Sequence, residues 1–230
     1  MIFHQLQNIL IYNKRNIILF IISFLLVNCC LSNCVNAAQS GHLEYDNIIF
    51  DYTNLNRNQL LREADFYFKK YENSSDSQEK NKYMQTAMGK YYILTIMPPL
   101  QIKPYVQLAR LYDANNQSRL AKEYFFKATN IDVNNPFANY YFGEYYYKRS
   151  DYKRALYYYK IAYRNGYNNF YQLNLRLGII YEKFADLKKA EQFYKTSYKL
   201  NPRNSELQEK IHSINELNYD KTEYYHFIRE

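Results

Sequence analysis

The sequence predicts an all-α protein in which antiparallel helical hairpins repeat along the chain as an α-solenoid. Gly and Pro number only five each among 230 residues, which is too few for the many turns of an all-β chain. Alanines recur 34 and then 35 residues apart, at Ala121, Ala155 and Ala190. A period of this length is typical of repeat architectures. Around each alanine the apolar side chains follow helical spacing, which indicates that the repeating unit is helical.

Residues 1–37 have the composition of a targeting segment. No acidic residue precedes Glu44, and Lys14 stands just before the apolar run 17–27. Val35 and Ala37 have the spacing of a cleavage site, so the stretch has the positive flank, the apolar core and the exit of a secretory signal. The run is shorter than the about 20 residues that a membrane-spanning helix needs.

Three fates of this segment stay open. It is a cleaved signal peptide, an uncleaved membrane anchor, or a lipoprotein signal in which Cys29 or Cys34 is acylated. In each case we expect an exported protein, either periplasmic or secreted, or held at the membrane by its N-terminus. All three cysteines lie within this segment, so cleavage after Ala37 would leave a mature chain with no thiol for a disulfide or a metal.

A linker at 38–54 and a degenerate hairpin at 55–101 follow. One apolar helical stripe runs over 60–71 and a second over 84–94. The polar stretch 72–81 between them predicts a long loop, since it is longer than the usual helix–helix turn.

Three clear repeats occupy 102–135, 136–169 and 171–204. Positions counted from the repeating alanines carry an aromatic residue four places after, a tyrosine nine places before and a small residue twelve places before. These positions are Phe125, Tyr159 and Tyr194; Tyr112, Tyr146 and Tyr181; and Ala109, Gly143 and Gly178.

This pattern resembles the tetratricopeptide repeat. The resemblance implies a right-handed superhelical array in which the small residues let the two helices of a hairpin approach closely. The sequence departs from the family pattern at its large first position, where Tyr105, Asn139 and Asn174 replace Trp. The closing proline of the pattern occurs only once, as Pro202.

The array is predicted to end with a capping helix at 205–217. Ser205 and Gln208 have the spacing of a capping box, and a single apolar stripe follows. Such a helix covers the open end of a repeat array. Residues 218–230 are left as a C-terminal tail.

The chain offers no set of residues for catalysis, metal binding or cofactor binding. The four histidines have no i,i+4 pair, and the five glycines form no phosphate-binding loop. The net charge of +8 is spread without a run of five like charges, so we expect a solvated basic surface and no nucleic-acid site. We therefore predict a protein that is not an enzyme and needs no cofactor.

The resemblance places a binding groove on the first helix of each hairpin. The residues expected to line it for a protein or peptide partner are Arg110, Asp113, Tyr140, Tyr141, Glu144, Tyr147, Gln172, Arg176, Ile179 and Lys183. Exposed tyrosines are suited to binding hot spots, although tyrosines of this kind also pack between helices. The sequence predicts an interaction scaffold or adaptor. The alternatives are a helical-repeat protein that binds RNA or another polyanion, and a structural subunit that assembles with itself.

Overall fold

The computed structural model describes the backbone of residues 42–45, 48–51 and 55–227, and the side chains of 55–216. It divides the chain into two units, 1–56 and 57–230. The targeting segment predicted at 1–37 lies outside the described residues, and so do its three alternative fates. Among the helices that the structure describes, none combines the length and the apolar character of a bilayer span.

The first unit contains a two-stranded antiparallel ladder. Strand β1, His42–Tyr45, pairs with β2, Ile48–Asp51, in a register that sets His42 opposite Asp51. Only two residues separate the strands in sequence, which is the commonest connection of a β-hairpin. We predicted a linker in this stretch, because four-residue strands give too little alternation to reveal themselves.

The described residues of the second unit contain nine α-helices, one 3-10 turn at Tyr167–Asn169 and no strand. Two of them form the first hairpin, six form the three repeats, and one closes the array. They are α1 (Arg57–Asn73), α2 (Ser77–Ile96), α3 (Ile102–Ala114), α4 (Ser118–Ile131), α5 (Pro136–Tyr147), α6 (Tyr152–Arg164), α7 (Tyr171–Lys183), α8 (Leu187–Leu200) and α9 (Ser205–Phe227). The predicted all-α hairpin array is confirmed for this unit.

The first hairpin differs from our prediction of a long loop. Its helices are joined by only residues 74–76, and α2 begins inside the polar stretch. The carboxylate of Asp76 accepts a hydrogen bond from the backbone N–H of Glu79 at 2.7 Å. This side chain caps the helix and allows it to start among polar residues.

The closing helix is also longer than predicted. It continues from Ser205 to Phe227, through most of the stretch that we left as a tail at 218–230. No glycine follows Gly178 and no proline follows Pro202, so nothing in the sequence interrupts the helix.

The turn inside each repeat has one residue in the left-handed region. Asn116, Ser150 and Ala185 have φ values of 59°, 57° and 58°, and each lies five residues before the repeating alanine. This backbone is unfavourable for Ser and Ala, which have a Cβ atom and no amide side chain to compensate. The repeat geometry therefore imposes the turn regardless of the residue present.

The core lies between the two helices of each hairpin and between each second helix and the first helix that follows it. The first helices α3, α5 and α7 contribute 20 buried residues, whereas the second helices α4, α6 and α8 contribute 11. The second helices thus form the outer layer. We call the exposed surface of α4, α6 and α8 the outer face, and that of α1, α3, α5 and α7 the inner face.

Two buried asparagines replace the missing tryptophans. Asn139 and Asn174 are 1% and 0% exposed. The amide of Asn139 donates to the carbonyls of Val133 and Asn135, both at 2.8 Å. Asn174 makes the same two contacts to Asn168 and Phe170. A position that the family fills with a large ring is here used to hold the preceding loop by hydrogen bonds.

Candidate partner-binding face

The centre of the inner face is occupied by a hydrogen-bonded cluster around Glu144. The hydroxyl of Tyr159 on α6 donates to this carboxylate at 2.5 Å. Arg176 on α7 donates to both of its oxygens, at 2.8 and 3.1 Å. The Glu144 side chain is only 15% exposed, so the cluster is largely shielded from water. One carboxylate therefore joins the helices of its own repeat to the next repeat.

The same cluster recurs at both ends of the array. Tyr91 and Lys103 bind Asp65 at 2.7 and 2.6 Å. Tyr194 and Lys210 bind Glu182 at 2.6 and 2.7 Å. In each case the acid comes from a first helix, the tyrosine from its own second helix, and the cation from the following first or closing helix. We call the three together the carboxylate clamps.

The clamps shift the pKa values of their members. Burial, reinforced by the neighbouring Glu144, raises the pKa of the Tyr159 hydroxyl far above its ordinary value. Burial lowers the pKa of Arg176, but the hydrogen bonds and charge of Glu144 outweigh it and raise the pKa overall. Both groups therefore keep their protons throughout the physiological range. The clamps act as fixed structural elements and not as proton donors.

The three predicted groove tyrosines lie in different environments. Tyr140 is 7% exposed and packs against Tyr159 and Phe170, with ring centroids 5.9 and 5.0 Å away. It cannot act as an exposed anchor, because its ring fills the space between hairpins. Tyr141 and Tyr147 are half-buried and offer one ring face each to a cation.

Arg110 and Arg176 lie over these two rings. Their guanidinium carbons are each 4.3 Å from the ring centroid, of Tyr141 and Tyr147 respectively. Arg110 also donates to Glu72 at 2.8 Å, as Arg176 does to Glu144. Planar guanidinium groups stack on aromatic faces in this way. Both arginines thus have intramolecular partners, which reduces their availability to a ligand carboxylate.

Asp113 has two cationic partners from the next repeat. Its side chain is 8% exposed and accepts from Arg149 at 2.6 Å and from Lys148 at 3.3 Å. Gln172 is half-buried, and its side-chain oxygen accepts no hydrogen bond within the described residues. The predicted groove residues near α3 and α5 are therefore mainly inter-repeat contacts.

An open cavity lies at the C-terminal end of the inner face. It has a volume of about 590 Å³ and lies between α7 and the start of α9. Leu175, Ile179 and Leu207 provide its apolar lining. Its charged lining consists of Lys183, Lys210, Glu182 and Glu206. Lys183 is exposed and forms no ion pair with any described residue. Here the inner face is recessed and apolar, and Lys183, which has no ion pair among the described residues, lies over the ring of Tyr152 at 5.6 Å from its centroid.

Sequence reasoning named only part of this cavity. Ile179 and Lys183 were predicted, because the resemblance pointed to α7. Leu175, Leu207 and Lys210 are not among the groove residues predicted from the sequence. The helical spacing of α9 is the signal that could have found two of them. Residues 207 and 210 are three positions apart, so they lie on the same side of this capping helix.

The described residues contain no group of three or more His, Cys, Asp or Glu side chains placed to hold a metal ion. The acidic groups of the inner face are instead bound to Lys, Arg and Tyr side chains, as above.

Comparison with solved structures identifies the fold. A structure of Pseudomonas aeruginosa PilF aligns with a TM-score of 0.55 and 17% identity, over 73% of this chain and 72% of that chain. MamA AMB-1 aligns with a TM-score of 0.54 and 12% identity, over 73% and 87% of the two chains. A further MamA structure aligns with a TM-score of 0.51 and 17% identity, over 63% of this chain and 86% of that chain. These are tetratricopeptide-repeat proteins. The chain has a tetratricopeptide-repeat fold.

The resemblance read from the spacing is thereby confirmed at the level of fold. No protein-family model matches the chain, and no curated protein matches it in sequence. The comparison therefore rests on the fold alone.

Proposed function

We propose that this tetratricopeptide array is a non-catalytic adaptor that binds a segment of a partner protein on its inner face. The observation that carries the proposal is the recessed cavity between α7 and α9. A volume of about 590 Å³ falls in the range of sites that bury a ligand group. It is large enough for one or two side chains of a bound segment.

The chemistry of the cavity indicates the kind of segment that fits. Its apolar lining favours an aliphatic or aromatic side chain, because the burial of that side chain removes apolar surface from water. Lys183 favours an acidic neighbour on the same segment, since it lacks an ion-pair partner among the described residues. We propose a short segment that combines an apolar anchor with a carboxylate.

The half-buried rings of Tyr141 and Tyr147 extend this surface toward α5. Each ring is covered on one side by an arginine and is rigidly held. Rigid aromatic rings bind with little loss of conformational entropy. The clamps below them fix the spacing between repeats, so the surface is already in place before a partner arrives. Such preorganisation improves affinity.

We further propose that the adaptor acts outside the cytoplasm. The support is the signal-like segment at 1–37, with its positive flank and apolar core. A mature chain cleaved after Ala37 would lack cysteine and would not depend on the redox state of its compartment.

The experiment is selection of binding peptides from a random display library against the full chain. Selected peptides are then tested against Ile179→Asp/Lys183→Glu and against the matched control Tyr157→Asp/Lys160→Glu. The control introduces the same two acidic side chains on the outer face, at exposed positions of α6. We expect the inner-face variant to lose at least about 10-fold in affinity, as for hot-spot residues, and the control to bind normally. Equal binding by both variants would exclude the inner-face site.

A further inference from the structure

The fold separates charge between its two layers. The second helices α2, α4, α6 and α8 carry 14 basic and 3 acidic residues. The first helices α1, α3, α5 and α7 carry 8 basic and 6 acidic residues. Their net charges are thus +11 and +2. No run of like charges announces this in the sequence, because the basic residues of the outer layer are separated by whole first helices. The fold brings them together on the outer face.

The basic side chains of the three repeats are available to solvent. The second helices α4, α6 and α8 contain 11 of them, and all are exposed. They are Arg119, Lys122, Lys127, Lys153, Arg154, Lys160, Arg164, Lys188, Lys189, Lys195 and Lys199. Four of these form ion pairs, each with an acid at most four residues away on the same helix or its cap. The other seven form no ion pair with any described residue.

The cations of α6 and α8 form two parallel stripes. Lys153, Lys160 and Arg164 are spaced by seven and four residues, and Lys188, Lys195 and Lys199 have the same spacing. This spacing puts all members of a stripe on one side of their helix, over about 16 Å. Equivalent members come from equivalent positions of successive repeats, so the stripes run side by side on the outer face.

Exposed aromatic rings lie on the same helix sides. Tyr157 comes four residues after Lys153 and is 60% exposed. Phe126 is 42% exposed and occupies in α4 the repeat position that Lys160 and Lys195 occupy in α6 and α8. The outer face is therefore cationic with protruding rings. This combination is typical of surfaces that rest on a bilayer, where basic residues meet anionic headgroups and rings enter the interface.

From these observations we propose that the outer face docks on an anionic lipid surface, independently of the partner site on the inner face. A bilayer is favoured over a nucleic acid by two observations. Eight of the 11 cations are lysines, which act as point charges and lack the planar fork that reads phosphates and bases. The signal-like segment would also bring the chain to a membrane. The array then lies with its inner face turned away from the lipid, open to a partner.

The test is vesicle flotation of the full chain at low and high salt. It compares vesicles of phosphatidylcholine alone with vesicles that also contain phosphatidylglycerol. The outer variant is Lys153→Gln/Lys160→Gln/Lys199→Gln. The matched control is Arg62→Gln/Lys69→Gln/Lys70→Gln, which removes the same charge from exposed positions of α1. The apolar N-terminal run is common to all proteins, so it does not contribute to differences between them.

We expect the wild-type chain and the control to prefer the anionic vesicles and to lose that preference in high salt. We expect the outer variant to bind them about 100-fold more weakly, because each basic residue near an anionic surface contributes about 1 kcal/mol. Equal binding to both vesicle types, or equal loss in the outer variant and the control, would overturn the proposal. So would salt-sensitive binding to single-stranded RNA without binding to anionic vesicles, which would assign the outer face to nucleic acid.

Discussion

The close approach of each hairpin's helices depends on glycine in two of the three repeats. Gly178 lies so near the ring of Tyr194 that a Cβ built at its position would be 2.5 Å from Cδ1 of that ring. At Gly143 the overlap with the ring of Tyr159 is equally severe. Neither ring has room to move, since both are at most 1% exposed and their hydroxyls are held by carboxylates.

Replacement of Gly143 by Ala therefore has two opposed effects. Ala is the better helix former by about 1 kcal/mol, which favours the variant. Overpacking of a well-filled core costs about 1–3 kcal/mol, and displacement of the Tyr159 hydroxyl from its charged acceptor costs about 1.5–3 kcal/mol more. We expect a net loss of about 2 kcal/mol or more, and a similar loss for Gly178→Ala.

The structure supplies a matched control in Gly89. This residue lies on an exposed side of α2, and a Cβ built there meets nothing within 4 Å. Gly89→Ala should therefore gain about 0.5–1 kcal/mol from helix propensity alone. Thermal unfolding followed by circular dichroism should show a lower Tm for Gly143→Ala and a higher Tm for Gly89→Ala. One kcal/mol corresponds to about 2–4 °C for a chain of this size. A gain in stability at Gly143 would refute the proposed packing.

Three further predictions concern single contacts. Asn139→Ala should cost about 1–3 kcal/mol in urea unfolding, because it removes the two side-chain hydrogen bonds that hold the loop before α5. A cost below about 0.5 kcal/mol would show that these hydrogen bonds do not hold the loop. Ala185→Gly should raise stability by about 1 kcal/mol through relief of its left-handed backbone, and an unchanged Tm would contradict that. Although desolvation raises the pKa of Glu182, hydrogen bonds from Lys210 and Tyr194 outweigh it and hold the pKa below the ordinary 4.5. A carboxylate whose pKa is lowered by folding stabilises the fold at pH values above its pKa in the unfolded chain. This stabilisation is lost as the pH falls through its pKa in the folded protein. Glu182→Gln should therefore be less stable than wild type at neutral pH, with a difference that narrows in acid; a difference independent of pH would exclude the clamp.

The repeat architecture could be predicted because it depends on residues that recur in register. Ala121, Ala155 and Ala190 mark the close approach in sequence, and the structure buries all three completely. The glycines opposite two of them were predicted for the same reason. Such positions are constrained by backbone distance alone, so the residue type reveals the geometry.

Other elements depend on contacts that no local pattern reports. Asp76 starts α2 within a polar stretch, and a cap of this kind is easily read as part of a loop. Tyr140 was expected on the groove surface, but it is buried, because the helical position alone does not say how a neighbouring hairpin covers it. The basic outer face was missed because its members are separated in sequence and become neighbours only when hairpins stack.

The carboxylate clamps also depend on contacts that no local sequence pattern reports. Glu144 and Arg176 were both predicted as groove residues, and they are 32 positions apart. Their pairing requires the register between repeats, which the period gives only approximately. The structure shows that these side chains bind each other, and this shifts the candidate partner site toward α7 and α9.

The central claim is that a partner segment binds the inner face beside α7 and α9. The most direct measurement places a photoreactive amino acid at Ile179 of the full chain in its host, and in a second strain at Tyr157 on the outer face. Irradiation should give discrete protein adducts from position 179, and the adduct should disappear when Lys183→Glu is added. Protein adducts from position 157 with none from position 179 would contradict the account.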